Sequence, residues 1–300
     1  MNKTISFCTL SMLGLACGVA AAGESLPTDI YFFGRDITPK VISGAHVDPG
    51  FVGLDNPNYN RLTFLYAHWV SLTFPASNAN HYHGTSRYEY EWNNGIPTVV
   101  SHQHDGNLIP GISDLLTDSL KLTPGSGAYA GKLVSYQYPE SVDPSGHYSN
   151  MTTRGTAYLG DTSTFPLNSA QNRLYNGNFG KYTGSLAGSN LAMELVSITP
   201  GLHVGIGDDI DIFDGGSISP GLGDAGAVNW QFSPVFWVDQ GTTPQTYTAE
   251  FRLKDLNSAT TGYLDSGEYG FVFTSVPEPA SLGVLAIGGL SLLQRRRRTV

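Results

Sequence analysis

Between residues 23 and 275 the chain is broken by turn-forming clusters so often that long helices have no room. Stretches such as "NPNYN", "DPSG" and "DGGSISPGLGDAG" set Gly, Pro, Asn and Asp side by side, the residues that take up turn backbone most readily. Between them lie short runs rich in Tyr, Phe, Val and Thr, at 29–33, 61–74, 85–92, 98–102, 132–138, 192–198, 228–238, 246–253 and 269–274. Such side chains suit a pleated, half-buried surface. Helical periodicity shows only briefly, at 112–120 and 169–175. Many short strands without alternating helices predict an all-β fold: one antiparallel sandwich or jelly-roll-like domain with short helical turns.

The two ends read differently. Lys3, an apolar run over 5–20 and the small residues Ala20, Ala21 and Ala22 make residues 1–22 a secretory signal peptide. At the other end stand Pro277-Glu278-Pro279, an apolar run over 280–293, and Arg295 to Arg298. Those fourteen apolar residues span about 21 Å as a helix, short of the roughly 30 Å hydrocarbon core of a bilayer. The arginine block favours the cytoplasmic side, which leaves the body outside. This tripartite order over residues 276–300 resembles the PEP-CTERM sorting signal of exported bacterial proteins. The resemblance implies an exosortase-type processing partner and transient membrane anchoring through the tail. It also implies a final place at the cell surface, outer envelope or extracellular matrix. Residues 23–275 are then a single extracytoplasmic domain.

Charge narrows the partners. Of 25 Asp and Glu only Glu278 lies in the ends; of 16 Lys and Arg, Lys3 and Arg295 to Arg298 do. The body therefore carries 24 acidic against 11 basic residues, a net of −13. Such a surface repels nucleic acid and draws cations. Both cysteines, Cys8 and Cys17, fall in the signal peptide. The body can form no disulfide and no thiolate site, so a metal would need His, Asp, Glu or backbone oxygen.

Four of the eight histidines fall within "HYHGTSRYEYEWNNGIPTVVSHQH". In a strand, residues two apart point to one face, so His81 and His83 form one imidazole pair and His102 and His104 another. Asn93-Asn94-Gly95 is a turn signal between them. Pairing Trp92 with Gly95 sets His83 opposite His104, a hairpin with four imidazoles close together. Neutral imidazole suits Zn²⁺, and Glu89, Glu91 and Asp105 are candidate ligands or supports. His46 with Asp48, and His68 beside Trp69, extend the set. His147 and His203 read as turn residues. The stretches "GAHVDPGFVGLDNPNYNRLTFLYAHW", "NHYHG", "GAYAGKLVSY" and "LAMELVSITPGLHVG" resemble a group of PEP-CTERM proteins repressed by the zinc-uptake regulator. The resemblance implies a zinc-capture or zinc-buffering role and carries over to His46, Asp48, His68, His81 and His83; His102 and His104 rest on geometry alone.

Other chemistries find less in the sequence. His81-x-His83 with Glu89 approximates a cupin metal motif, but the spacing to Glu89 is too long and Pro75 stands where a glycine is expected, so a cupin-like metalloenzyme ranks third. HExxH, GxSxG and Walker patterns are missing, and a non-enzymatic role is expected. Residues 221–226 match GxGxxG by letters, yet open onto the strand-like "AVNWQF" rather than a helix. Asp208, Asp209, Asp211 and Asp214 form a second, weaker candidate, for Ca²⁺. Trp92, Trp230 and Trp237 offer sugar-stacking rings, which supports the alternative of a structural or extracellular-polysaccharide-binding matrix component.

Overall fold

The computed structural model describes residues 30–44, 47–68, 80–101, 108–109, 120–135, 151–241 and 245–275, with His68 described by its backbone. Both terminal signals, His46, Trp69, His102, His104, Asp105, His147 and all but the last residue of the helical stretch expected at 112–120 lie outside these residues, and that last residue, Leu120, is in a strand. Of the described residues 43% lie in strands or bridges and 12% in short helices, an all-β, sandwich-like fold.

The first sheet has the order β12-β9-β1-β2-β3, built from β1 (Tyr31–Arg35), β2 (Leu62–His68), β3 (His81–Gly84), β9 (Thr153–Gly155) and β12 (Gln231–Phe232). The second runs β10-β14-β15-β7-β8-β13-β11, from β7 (Leu120–Pro124), β8 (Lys132–Val134), β10 (Leu191–Ile198), β11 (His203–Ile206), β13 (Pro234–Asp239), β14 (Thr246–Asp255) and β15 (Glu268–Ser275). The short β6 (Leu108–Ile109) joins β15 beside β7. A separate hairpin pairs β4 (Tyr88–Asn93) with β5 (Ile96–Ser101). Neighbours run antiparallel except where β9 meets β1 and where β6 and β7 meet β15.

Aromatic rings fill the space between the sheets. Phe64 of β2 stacks on Tyr269 of β15 with centroids 4.3 Å apart, and Tyr31 meets Phe271 edge-on at 5.7 Å. Phe236 of β13 extends this core to Phe251 and Phe273. The other face of the first sheet is also covered. Tyr82 of β3 packs against Phe32 and Tyr182, while Leu159 of α1 (Ala157–Gly160) and Leu174 of α2 (Ala170–Tyr175) belong to the same core. Coverage on both faces explains why Tyr31 to Gly34 are all buried rather than alternating. The Ser169 hydroxyl accepts from Asn172 N–H and caps α2, the helix expected at 169–175.

One continuous run in the sequence serves both sheets. The stretch expected as a strand at 228–238 splits at Ser233: Phe232 pairs with Thr153 in the first sheet, and Pro234 starts β13 in the second. Proline supplies no ladder donor, so a break there is natural. His203, expected in a turn, instead opens β11 opposite Trp237.

The Tyr269 hydroxyl is buried with no hydrogen-bond partner, and burial drives its phenol pKa far upward, so it stays neutral. The ring, not the hydroxyl, holds the sheets together. Phe64→Ala should therefore cost about 3–5 kcal/mol in chemical denaturation, the range for a fully buried aromatic, whereas Tyr269→Phe should leave stability unchanged or raise it.

Candidate functional site

Strand β3 is the outer strand of the first sheet among the described residues, and it pairs with β2 in the register Leu65↔Gly84, Tyr66↔His83, Ala67↔Tyr82, His68↔His81. Directly opposed residues share a face, and alternate residues share one too. His81 and His83 therefore lie on the side that carries Phe64 and Tyr66, the inner face of the sandwich, while Tyr82 points to the α1–α2 layer. The two imidazole centroids are 4.9 Å apart. The His83 ring lies on the fully buried Tyr66 ring at 4.8 Å and 14°. Both histidines are half-buried, at the rim of the inter-sheet core. The backbone register adds a third position, His68, directly across from His81.

Two anchors hold β3 in place. Tyr82 is buried, and burial together with the Tyr175 phenol raises its pKa well above the ordinary tyrosine value. On the outer edge the Asn178 side chain takes the part of a missing strand: its Oδ1 accepts from Tyr82 N–H at 2.8 Å and its Nδ2 donates to Tyr82 C=O at 3.1 Å. Asn178 adopts φ 52° to do so, a left-handed backbone that asparagine tolerates. Asn58 repeats the device on β4, bonding both Tyr88 N–H and Tyr88 C=O. Neither asparagine carries a sequence signal for this role; the alternation of 64, 66 and 68 along β2 does point to Tyr66.

The hairpin differs from the register expected of it. Asn94 and Gly95 both take positive φ, 50° and 78°, the requirement of a two-residue type I′ turn. Asn93 thus faces Ile96 and Trp92 faces Pro97, two places from the expected Trp92–Gly95 pairing. His83 lies before this hairpin, in another sheet, and its partner is Tyr66 rather than His104. The chain leaves the first sheet at Thr85 and Ser86, both buried, where the Ser86 hydroxyl accepts from Phe64 N–H.

Asp48 is drawn to that hairpin. Its carboxylate accepts from Gly50 N–H at 2.8 Å and from Trp92 Nε1–H at 2.9 Å. Trp92 also lies 4.8 Å from Phe51, and a Cβ at Gly50 would come within 2.7 Å of the indole. The indole is thus backed by the 48–51 turn and remains 49% exposed. Glu89 pairs with Arg87, and Glu91 is exposed on β4. Trp230 and Trp237, the other expected stacking rings, are engaged inside: Trp230 donates to Leu222 C=O and lies against Phe33, and Trp237 is buried.

His203 stacks on Trp237 at 4.2 Å, and its Nδ1 lies 2.9 Å from Asp211 Oδ2. The other Asp211 oxygen accepts from Phe213 N–H and Asp214 N–H, and Asp209 Oδ1 accepts from Asp211 N–H. The acidic loop expected as a Ca²⁺ candidate uses these carboxylates to organise its own turns. The GxGxxG letters at 221–226 fall in a loop, with Gly226 against the backbone of Leu186 and Ala187.

Among the described residues no three His, Cys, Asp or Glu side chains gather closely enough to hold a metal ion, and no helix is long and apolar enough to cross a membrane. Comparisons of the chain with protein families, with curated proteins and with solved structures return no match.

The Asp48 clamp makes a pH prediction. Its two N–H donors, Gly50 first and then Trp92, hold the carboxyl pKa below the ordinary aspartate value of 3.8. A depressed pKa gives a contribution that is complete above the unfolded-state value and fades as pH falls through the folded one. Trp92 emission should therefore titrate below the ordinary aspartate range, and Asp48→Ala should abolish that titration in steady-state fluorescence.

Proposed function

We propose that this is an exported β-sandwich protein that binds zinc at the rim of its core, through His81 and His83 with His68 opposite, for capture or buffering when zinc is scarce. The observation that carries this reading is the β2–β3 register, which gathers three of the chain's eight histidine positions onto neighbouring sites of one sheet face. Imidazoles are the strongest zinc donors left to a body without cysteine. Their seat, half-buried against Tyr66, limits rotamer loss on binding. Closing a tetrahedral shell needs further donors, and His102, His104 and His46, outside the described residues, are the candidates. A net charge of −13 on the body favours cation entry. The C-terminal tripartite segment supports surface sorting by an exosortase-type partner.

A second reading, a polysaccharide-binding matrix component, is favoured by Trp92. Its indole is backed by Phe51, steered by Asp48 and half open to solvent, which suits stacking on a sugar ring. The two readings use different residues and can be tested apart.

Calorimetric zinc titration of the wild type should show binding that weakens on acidification, because protons compete with the metal for imidazole nitrogen. His81→Ala/His83→Ala should abolish the binding heat, whereas Trp92→Ala should leave it intact. Unchanged binding in the double histidine variant would remove β3 from the site.

A further inference from the structure

A second cluster, at the end of β1, holds the parts of an acyl-transfer reaction. Asp36 is fully buried and Asn56 is buried beside it. Asp36 Oδ2 lies 3.0 Å from Lys181 Nζ and also accepts from Asn56 Nδ2 at 3.0 Å, so one carboxylate oxygen holds an amine and a primary amide together. The other Asp36 oxygen is fixed by Thr38 N–H, and Ile37 N–H donates to Lys181 C=O, which ties the lysine backbone to the same turn. The amide carbonyl is polarised too: Asn56 Oδ1 accepts from Asn58 N–H at 3.0 Å and from Asn58 Nδ2 at 3.3 Å.

We propose that Lys181 and Asn56 join in an intramolecular isopeptide bond, with Asp36 moving the proton. The Lys181 ammonium gives a proton to Asp36, and the freed Nζ lone pair attacks Asn56 Cγ. Charge developing on Oδ1 meets the two Asn58 donors, which stand where an oxyanion forms. Collapse breaks the Cγ–Nδ2 bond, and protons relayed from Nζ through Asp36 leave with the nitrogen. The balance is one lysine ammonium and one primary amide in, one secondary amide and one ammonium ion out. Asp36 ends as the carboxylate it began as, and no oxidant or cofactor enters. Burial excludes water that would compete for the carbonyl, and a held pair replaces a bimolecular encounter with an intramolecular one.

The bond would tie the loop after β1 to the segment that follows α2. It would give a cysteine-free body the covalent closure that a disulfide cannot supply.

Denaturing mass spectrometry and a tryptic map of the full chain test this. The wild type should be lighter than its own termini dictate by one ammonia, and should yield a branched peptide joining residues 41–61 to the segment around Lys181, uncleaved at that lysine. Lys181→Arg keeps the ion pair with Asp36 but should show the full mass; Asn56→Asp should lose water instead. A wild-type chain at full mass, or one cleaved normally after Lys181, overturns the proposal. So does an ammonia loss that maps to another residue, such as a succinimide at Asn94-Gly95. The wild-type map decides the matter even if a variant fails to fold.

Discussion

Phe64 lies flat on Tyr269, and around that stack Tyr31, Phe271, Phe251 and Phe236 close the space between the two sheets. Everything else hangs on this apolar contact, because the body contains no cysteine and so has no disulfide to hold the sheets together. Exposed ion pairs such as Lys40 with Asp55 add little in water. A Phe or Tyr buried between sheets removes a large apolar area and gains further from edge-on and offset ring geometry.

The histidine site is a consequence of where that core ends. Along β2, Phe64 and Tyr66 are interior, and the next residue on the same face is His68. Across the ladder, His83 follows Tyr66 and His81 follows His68. The face therefore changes from aromatic packing to imidazole within one step of the pleat. Stacking on Tyr66 gives the His83 ring a fixed plane, and the Asn178 amide occupies the strand edge that would otherwise recruit another chain. A rim of this kind joins a rigid support to access from solvent.

Much of the architecture is legible in local pattern. The runs at 192–198, 246–253 and 269–274 fall within β10, β14 and β15, and the signal is cleanest in β14, where Tyr247, Ala249, Phe251 and Leu253 are buried at every second position. The side-by-side placement of His81 and His83 follows from period two alone. Partner choice is another matter, since it is settled by distant residues: nothing near His81 announces that β2, rather than β5, is its neighbour. A hairpin turn offered the nearer partner, and the Asn94-Gly95 geometry then fixed a register that the trio Asn93-Asn94-Gly95 leaves ambiguous. Short strands were hidden for the same reason. The four residues of β11 and three of β9 are too few to show a period, and each exists because a longer strand beside it supplies the ladder. Asp48 illustrates a further limit, for an acidic residue near a histidine in sequence proves to serve an indole more than forty residues away.

Zinc coordination by imidazoles at the rim of the sandwich is what we propose for this protein. X-ray absorption at the zinc edge of the loaded, full-length protein addresses it without any substitution. Nitrogen or oxygen scatterers are expected at about 2.0–2.1 Å with the outer-shell scattering that imidazole rings produce, from at least two histidines. A shell of oxygen alone, with no imidazole signature, would contradict it.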